Sequence, residues 1–233
     1  MEAITDWLTH LKEIFIDTEF YKLMLNGLKN TLIITAGALV IGLVIGSLIA
    51  VLKYFAQDST AIPMRIVNAI CDIYVTVIRG VPVVVLLLLC FFALFKNWDG
   101  IAVAILTFGI NSGAYMAELI RSGINAVDKG QMEAGRSLGL SKLQTMRKIV
   151  FPQAVRYIIP AIGNEFIALL KETSVAGYVA VEDLTRAGNL VRNNTFDAIN
   201  PLMVVALTYL IMVIGLTKLQ KLIERRLSKS DKR

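Results

Sequence analysis

DKGQMEAGRSLGLSKLQTMRKIVFP, residues 128–152, is a polar and basic island between long apolar runs. Its pattern predicts two short helices around a sharp turn. Asp128 can accept from the amides that open the first helix, and Glu133 lies early in it, near the positive end of the helix dipole. Gly139 can end that helix, because glycine enters the left-handed region without steric cost. Ser141 and Gln144 make an S-x-x-Q capping box for the second helix. Leu143, Met146, Ile149 and Val150 then fall on one face, with Lys142, Arg147 and Lys148 on the other. Pro152 lacks an N–H and closes the unit in this reading.

The surroundings of the island set the class. The chain has 233 residues, of which 56% are hydrophobic and 18% charged, and its mean hydropathy is +0.65. This is the composition of a membrane protein. One all-α membrane domain is expected, with no appended soluble domain. The net charge of +6 sits beside apolar spans, so it reads as orientation in the membrane rather than nucleic-acid binding. Cys71 and Cys90 lie in or near apolar segments and read as small buried hydrophobes, with no metal-ligand spacing. Glu2 and Asp6 spoil the basic start of a signal peptide, so the first span is expected to target the chain.

Along the chain, Trp7, Leu8, Leu11, Ile14 and Phe15 recur at helical spacing. Residues 1–25 therefore read as an amphipathic segment at the membrane surface. His10, the only histidine, is expected to be solvated there. Residues 30–52 carry no charge over 23 positions, more than the roughly 20 a span needs. Gly37, Gly42 and Gly46 give this span a small-residue stripe for close packing. Residues 64–95 exceed one span: Asp72 and Arg79 interrupt the first half, and 80–95 form the buried part of span two. Pro82 predicts a kink or unwound turn. A tight hairpin at 96–100 leads to span three, 101–120. Residues 155–170 form span four, 171–200 a polar excursion, 201–217 span five, and 218–233 a basic, fraying tail.

Five spans put the termini on opposite sides. The segments 53–65, 121–156 and 218–233 hold 16 Lys and Arg, against seven on 1–29, 96–100 and 171–200. The excess marks the cytoplasmic side. The N-terminus is therefore expected outside, the C-terminus inside, and the 128–152 loop in the cytosol.

Ionisable groups inside spans are costly and point to function. Glu165 lies ten residues into span four, about 15 Å at 1.5 Å per residue and so near the bilayer centre. Asn111 lies equally deep in span three. Asn111, Asn164 and Glu165 therefore form a candidate midplane cluster, able to bind the ammonium of an amino acid. A polar network that only ties helices together explains them equally well. Glu118 and Arg121, one turn apart, are expected to pair.

The 128–152 stretch resembles the EAA loop of bacterial ABC importer permeases. Glu133-Ala134-Gly135 is followed after three residues by Gly139, and after nine more by Ile149-Val150-Phe151-Pro152. Gly135 replaces the family's alanine and Phe151 its leucine. Arg79-Gly80-Val81-Pro82 resembles the R-G-T-P of polar amino-acid permeases. Gly163-Asn164-Glu165-Phe166, with Leu169-Leu170-Lys171-Glu172-Thr173-Ser174, resembles their G-N-E-F and L-L-K-x-T-S run. The resemblance implies a five-helix type I importer permease whose domain covers 26–217. It implies that Glu133, Ala134, Gly135, Gly139, Leu140, Ser141 and Arg147 meet an ABC ATPase subunit, and that substrate lies near Asn164 and Glu165.

The chain has no G-x-x-x-x-G-K-[ST] loop, so ATP and magnesium are expected on a partner chain and no cofactor on this one. A second permease chain, identical or related, is expected, together with membrane lipid and an extracellular or periplasmic amino-acid-binding protein. The location implied is the bacterial inner membrane. The alternative is an ion- or proton-coupled transporter or channel using Glu165. Such folds often carry inverted repeats, and none is visible. A membrane enzyme lacks a nucleophile and base at recognisable spacing.

Overall fold

The structure, a computed structural model, describes residues 2–57 and 59–229. Residues 230–233, the end of the basic tail, lie outside the described residues, as does the side chain of Leu8. Every regular element among the described residues is helical. α1 (Glu2–Lys12) continues into a wide π turn, Glu13–Asp17. α2 (Phe20–Ala56) has 37 residues. α3 (Ile62–Gly80) and α4 (Val83–Leu89) follow, then α5 (Gly100–Asn125). α6 (Lys129–Ser137) and α7 (Lys142–Thr145) lead through a π turn, Met146–Val150, into α8 (Phe151–Glu172). A 3-10 stretch, Thr173–Val179, precedes α9 (Leu184–Thr195) and α10 (Asn200–Lys229).

α2, α5 and α10 are long and apolar enough to cross a membrane, and α3 with α4 count as a fourth crossing if they make one broken span. α8 has 22 residues, about 33 Å of helix. Arg156, Asn164 and Glu165 dilute its apolar character. The break before α4 follows from Pro82. Val81 is extended, at φ −100° and ψ 131°, because a following proline disfavours the helical region.

The chain falls into two units. The first comprises residues up to Ala38, Val83–Phe108 and Leu169–Ile214. Its core is Ile14, Met24, Leu184, Ala187, Val191 and Val205. Residues 171–200, expected to be a polar excursion, hold α9, whose small apolar stripe at three- and four-residue spacing is buried here. Asp183 caps α9 by accepting from the Thr185 and Arg186 amides. Gly27 lets α2 approach it: a β-carbon there would lie 2.7 Å from the Asp183 carbonyl oxygen. The N-terminal segment touches protein at Ile14 of the π turn, which lies in the core, and at Trp7, whose Nε1 donates to Asn200 Oδ1 at 2.8 Å. His10, half exposed, meets Asp197 at 3.0 Å.

The second unit comprises Leu39–Pro82, Gly109–Ala168 and the chain from Gly215 on. The expected small-residue stripe of α2 works here. A β-carbon on Gly46 would lie 2.4 Å from Met116 Cβ, and one on Gly42 2.9 Å from Ser112 Cβ, so α2 and α5 touch at backbone distance. Cys71 is buried in a small core with Ile49 and Ala117. Two expectations fail. α10 continues as helix to Lys229 instead of fraying from residue 218. Pro152 does not close the hairpin: the helix runs through it from the π turn into α8. The π turn before it widens the backbone and carries the helix on.

Candidate functional site

The hairpin between α5 and α8 has the predicted local chemistry. The Asp128 carboxylate accepts from the Gly130 amide at 2.7 Å. Gly139 ends the turn in the left-handed region at φ 83°. Both bonds of the Ser141–Gln144 capping box form. Arg136 closes the turn by donating to the Leu140 carbonyl at 3.0 Å.

The two short helices pack through Gly135, which is buried against Thr145. The buried residues of the second arm are Thr145 and Val150, while Leu143 is 56% exposed. Met146 and Ile149 are half-buried and Val150 buried, as the periodicity predicts, and Leu143 alone departs from that face. Glu133, Ala134, Gly139, Ser141 and Arg147 are exposed, and Leu140 is half-buried. Leu138, which the sequence reading passed over, is 81% exposed at the end of α6. An apolar residue at the cap of a short polar helix was the available signal. The hairpin is therefore a rigid, internally capped projection with a leucine and charges at its tip.

The polar residues expected near the midplane all lie in the second unit. Asn111 is buried, at 4% exposure. Its neighbour Ser112 is fully buried and donates from Oγ to Glu165 Oε1 at 3.0 Å, joining α5 to α8. Ser112 was legible as a polar residue in span three but was not singled out. Asn164, rotated about 100° from Glu165 on the helix, is exposed and accepts from Gln220 Nε2 of α10 at 3.1 Å. Gln220 also donates to the Pro160 carbonyl at 3.1 Å. Gly163 makes room for it, since a β-carbon there would meet Gln220 Cδ at 2.9 Å. Asn164 and Glu165 thus point to different helices. Glu118 pairs with Arg121 as expected, with Nε to Oε2 at 3.0 Å. The Arg79 guanidinium stacks 5.0 Å from the Tyr115 ring centroid.

Residues 42–229 match the family described as binding-protein-dependent transport system inner membrane component. The arginine transport system permease protein ArtQ of Bacillus subtilis is 35% identical over 212 residues, 89% of this chain and 94% of that one. The glutamine transport system permease protein GlnP of Escherichia coli K12 is 35% identical over 210 residues, covering 88% and 93%. A solved amino acid ABC transporter with histidines shares 38% identity at a TM-score of 0.82, covering 90% of this chain and 96% of that one. The inward-facing MetNI methionine ABC transporter has the same fold, at a TM-score of 0.75 and 21% identity over 89% of this chain and 97% of that one. The architecture is that of type I ABC importer permeases. On the helical fold, the capped hairpin and these matches, the chain belongs to the inner membrane components of binding-protein-dependent transport systems.

Proposed function

We propose that this chain is the permease subunit of an ATP-driven amino-acid importer. The observation that carries this reading is the capped hairpin at 128–152, built as a handle, in a chain whose relatives are named for arginine and glutamine transport. Glu133, Ala134, Gly135, Gly139, Leu140, Ser141 and Arg147 meet a separate ABC ATPase, which binds and hydrolyses ATP with magnesium. A second permease chain completes the pathway, and an extracellular or periplasmic binding protein delivers the amino acid. The N-terminus lies outside and the C-terminus in the cytoplasm, a reading the Lys and Arg distribution supports.

Inside the membrane, Glu165, held by Ser112, with Asn111, and Asn164 on the adjoining face, supply hydrogen bonds and charge to a polar solute. Motion of the ATPases shifts the hairpin, and α8 transmits that shift, since it continues from α7 through the π turn.

The test is uptake by vesicles holding the permease with its co-expressed ATPase and binding protein, across a panel of amino acids. ATP-dependent uptake insensitive to ionophores is expected. Uptake that collapses with the ion gradient and ignores ATP would favour an ion-coupled transporter instead.

A further inference from the structure

α9 has two faces. Leu184, Ala187, Gly188 and Val191 are buried in the first unit. Arg186, Asn189, Leu190 and Asn193 recur at three- and four-residue spacing on the opposite side. That side encloses, with the 3-10 stretch Thr173–Val179, a cavity of about 550 Å³. The volume falls within the roughly 300–1,000 Å³ of small-molecule sites. The lining comes entirely from residues 174–193, so the cavity lies within one unit.

Among the described residues that line the cavity, Arg186 alone is charged. Its Nη1 donates to the Gly177 carbonyl at 2.7 Å. Gly177 permits that approach, since a β-carbon there would lie 3.2 Å from Arg186 Cβ. The bond fixes the guanidinium and leaves most of its N–H donors open. Asp183 does not neutralise it. That carboxylate is fully buried, accepts from the Thr185 and Arg186 amides, and lies outside the lining. Among the described residues, Arg186 makes no ion pair.

Ser174, Asn189 and Asn193 add hydrogen-bonding groups to the walls. Among the described residues none of these three side chains has a hydrogen-bond partner, and none of the three is buried. Val175, Leu190 and the ring of Tyr178, which is 68% exposed, add apolar wall. A guanidinium recognises a carboxylate through two parallel hydrogen bonds. One positive charge balances one carboxylate, whereas a phosphate monoester brings roughly −1.5 to −2. The amide oxygens and the hydroxyl accept from a neighbouring ammonium, and the apolar wall takes a side chain.

We propose that this cavity is an outer subsite that receives the α-carboxylate of an incoming amino acid. It rests on the reading of the chain as an amino-acid permease with residues 171–200 outside. The α-carboxylate is common to all amino acids, so the subsite captures without choosing among them.

The experiment uses the chain with its co-expressed ATPase in nanodiscs, without binding protein. Saturation-transfer NMR titrates L-arginine and L-glutamine, each against its α-carboxamide, which lacks the anion. The wild type should hold each acid roughly tenfold or more tighter than its amide. Arg186→Gln should abolish that preference. Asn189→Asp keeps the Arg186–Gly177 bond but puts a carboxylate into the cavity, and should abolish it too. Arg192→Gln removes a charge from the same helix outside the lining and should change nothing. No binding of either acid, equal binding of acid and amide, or an unchanged preference in either lining variant overturns the proposal. So does a preference kept in Arg186→Gln together with lost docking of the binding protein, which would make Arg186 a protein contact. The titrations need no ATP, so their failure is distinct from a failure of ATP-driven uptake.

Discussion

A β-carbon on Gly135 would lie 2.4 Å from Thr145 Cγ2, so the two arms of the hairpin meet where only a hydrogen fits. Gly135→Ala therefore forces α6 and α7 apart. Alanine gains about 0.5–1 kcal/mol in helix propensity, but overpacking costs roughly 1–3 kcal/mol. The expected result is a net loss of thermal stability in the detergent-purified chain. Adding Thr145→Ser removes the methyl that obstructs most and keeps the hydroxyl that donates to the Ser141 carbonyl; it should recover part of the lost melting temperature, since that hydroxyl still lies 2.9 Å from the added carbon. A single variant as stable as the wild type would show that the arms are not in contact.

Leu138 and Glu133 are both exposed on the hairpin and test the coupling role without touching its packing. Full burial of a leucine side chain contributes about 1.5–3 kcal/mol. Leu138→Asp should therefore reduce co-purification of the ATPase by at least roughly tenfold. Glu133→Lys reverses an exposed charge and should leave ATP hydrolysis running without uptake. Wild-type uptake in both variants would remove the hairpin from the ATPase interface.

Ser112 and Glu165 form one unit across α5 and α8. A hydrogen bond to a charged group contributes about 1.5–3 kcal/mol. If Glu165 meets the solute, Glu165→Ala should lower kcat/KM for uptake by roughly tenfold or more. Ser112→Ala, which only loosens Glu165, should lower it less and in the same direction. Loss of melting temperature in both variants with unchanged uptake kinetics would return the pair to a structural role.

Local rules made the hairpin readable. A capping box, an N-cap aspartate and a turn glycine depend on neighbours within a few residues, and all three form. The same holds for the break at Pro82 and the Glu118–Arg121 pair. What failed depended on distant partners. α9 looked like loop because its buried stripe is Leu184, Ala187, Gly188 and Val191, mostly small residues whose role is set by Val205 and Gly27. Gln220 sat in what looked like a basic tail, and only the packing of α10 on α8 brings it to Asn164. The exposed Leu143 stands in a helix of only four residues, too short for its own periodicity to fix a buried face. Asn111 and Glu165 were placed at one depth by counting residues. The rotation of each side chain about its helix, which brings Ser112 to Glu165, is not given by depth.

Asp197 clasps α1 to the start of α10. Its carboxylate accepts from the Asn200 side chain at 2.7 Å, from the Asn200 and Ile199 amides at 3.0 and 3.1 Å, and contacts His10 at 3.0 Å. The Asn200 side chain, then these amides and His10, hold the carboxyl down to about 2. An unfolded aspartate titrates near ~3.9. The folded value is the lower one, so the clasp's contribution is complete above about pH 4 and is lost as pH falls through about 2. Trp7 reports on it, because its indole donates to Asn200. In a Trp98→Phe background, Trp7 fluorescence should hold steady down to about pH 4 and change as pH falls toward 2. Asp197→Asn should remove that acid step and weaken the clasp at neutral pH. A Trp7 transition centred near pH 6, insensitive to Asp197→Asn, would place the controlling group elsewhere.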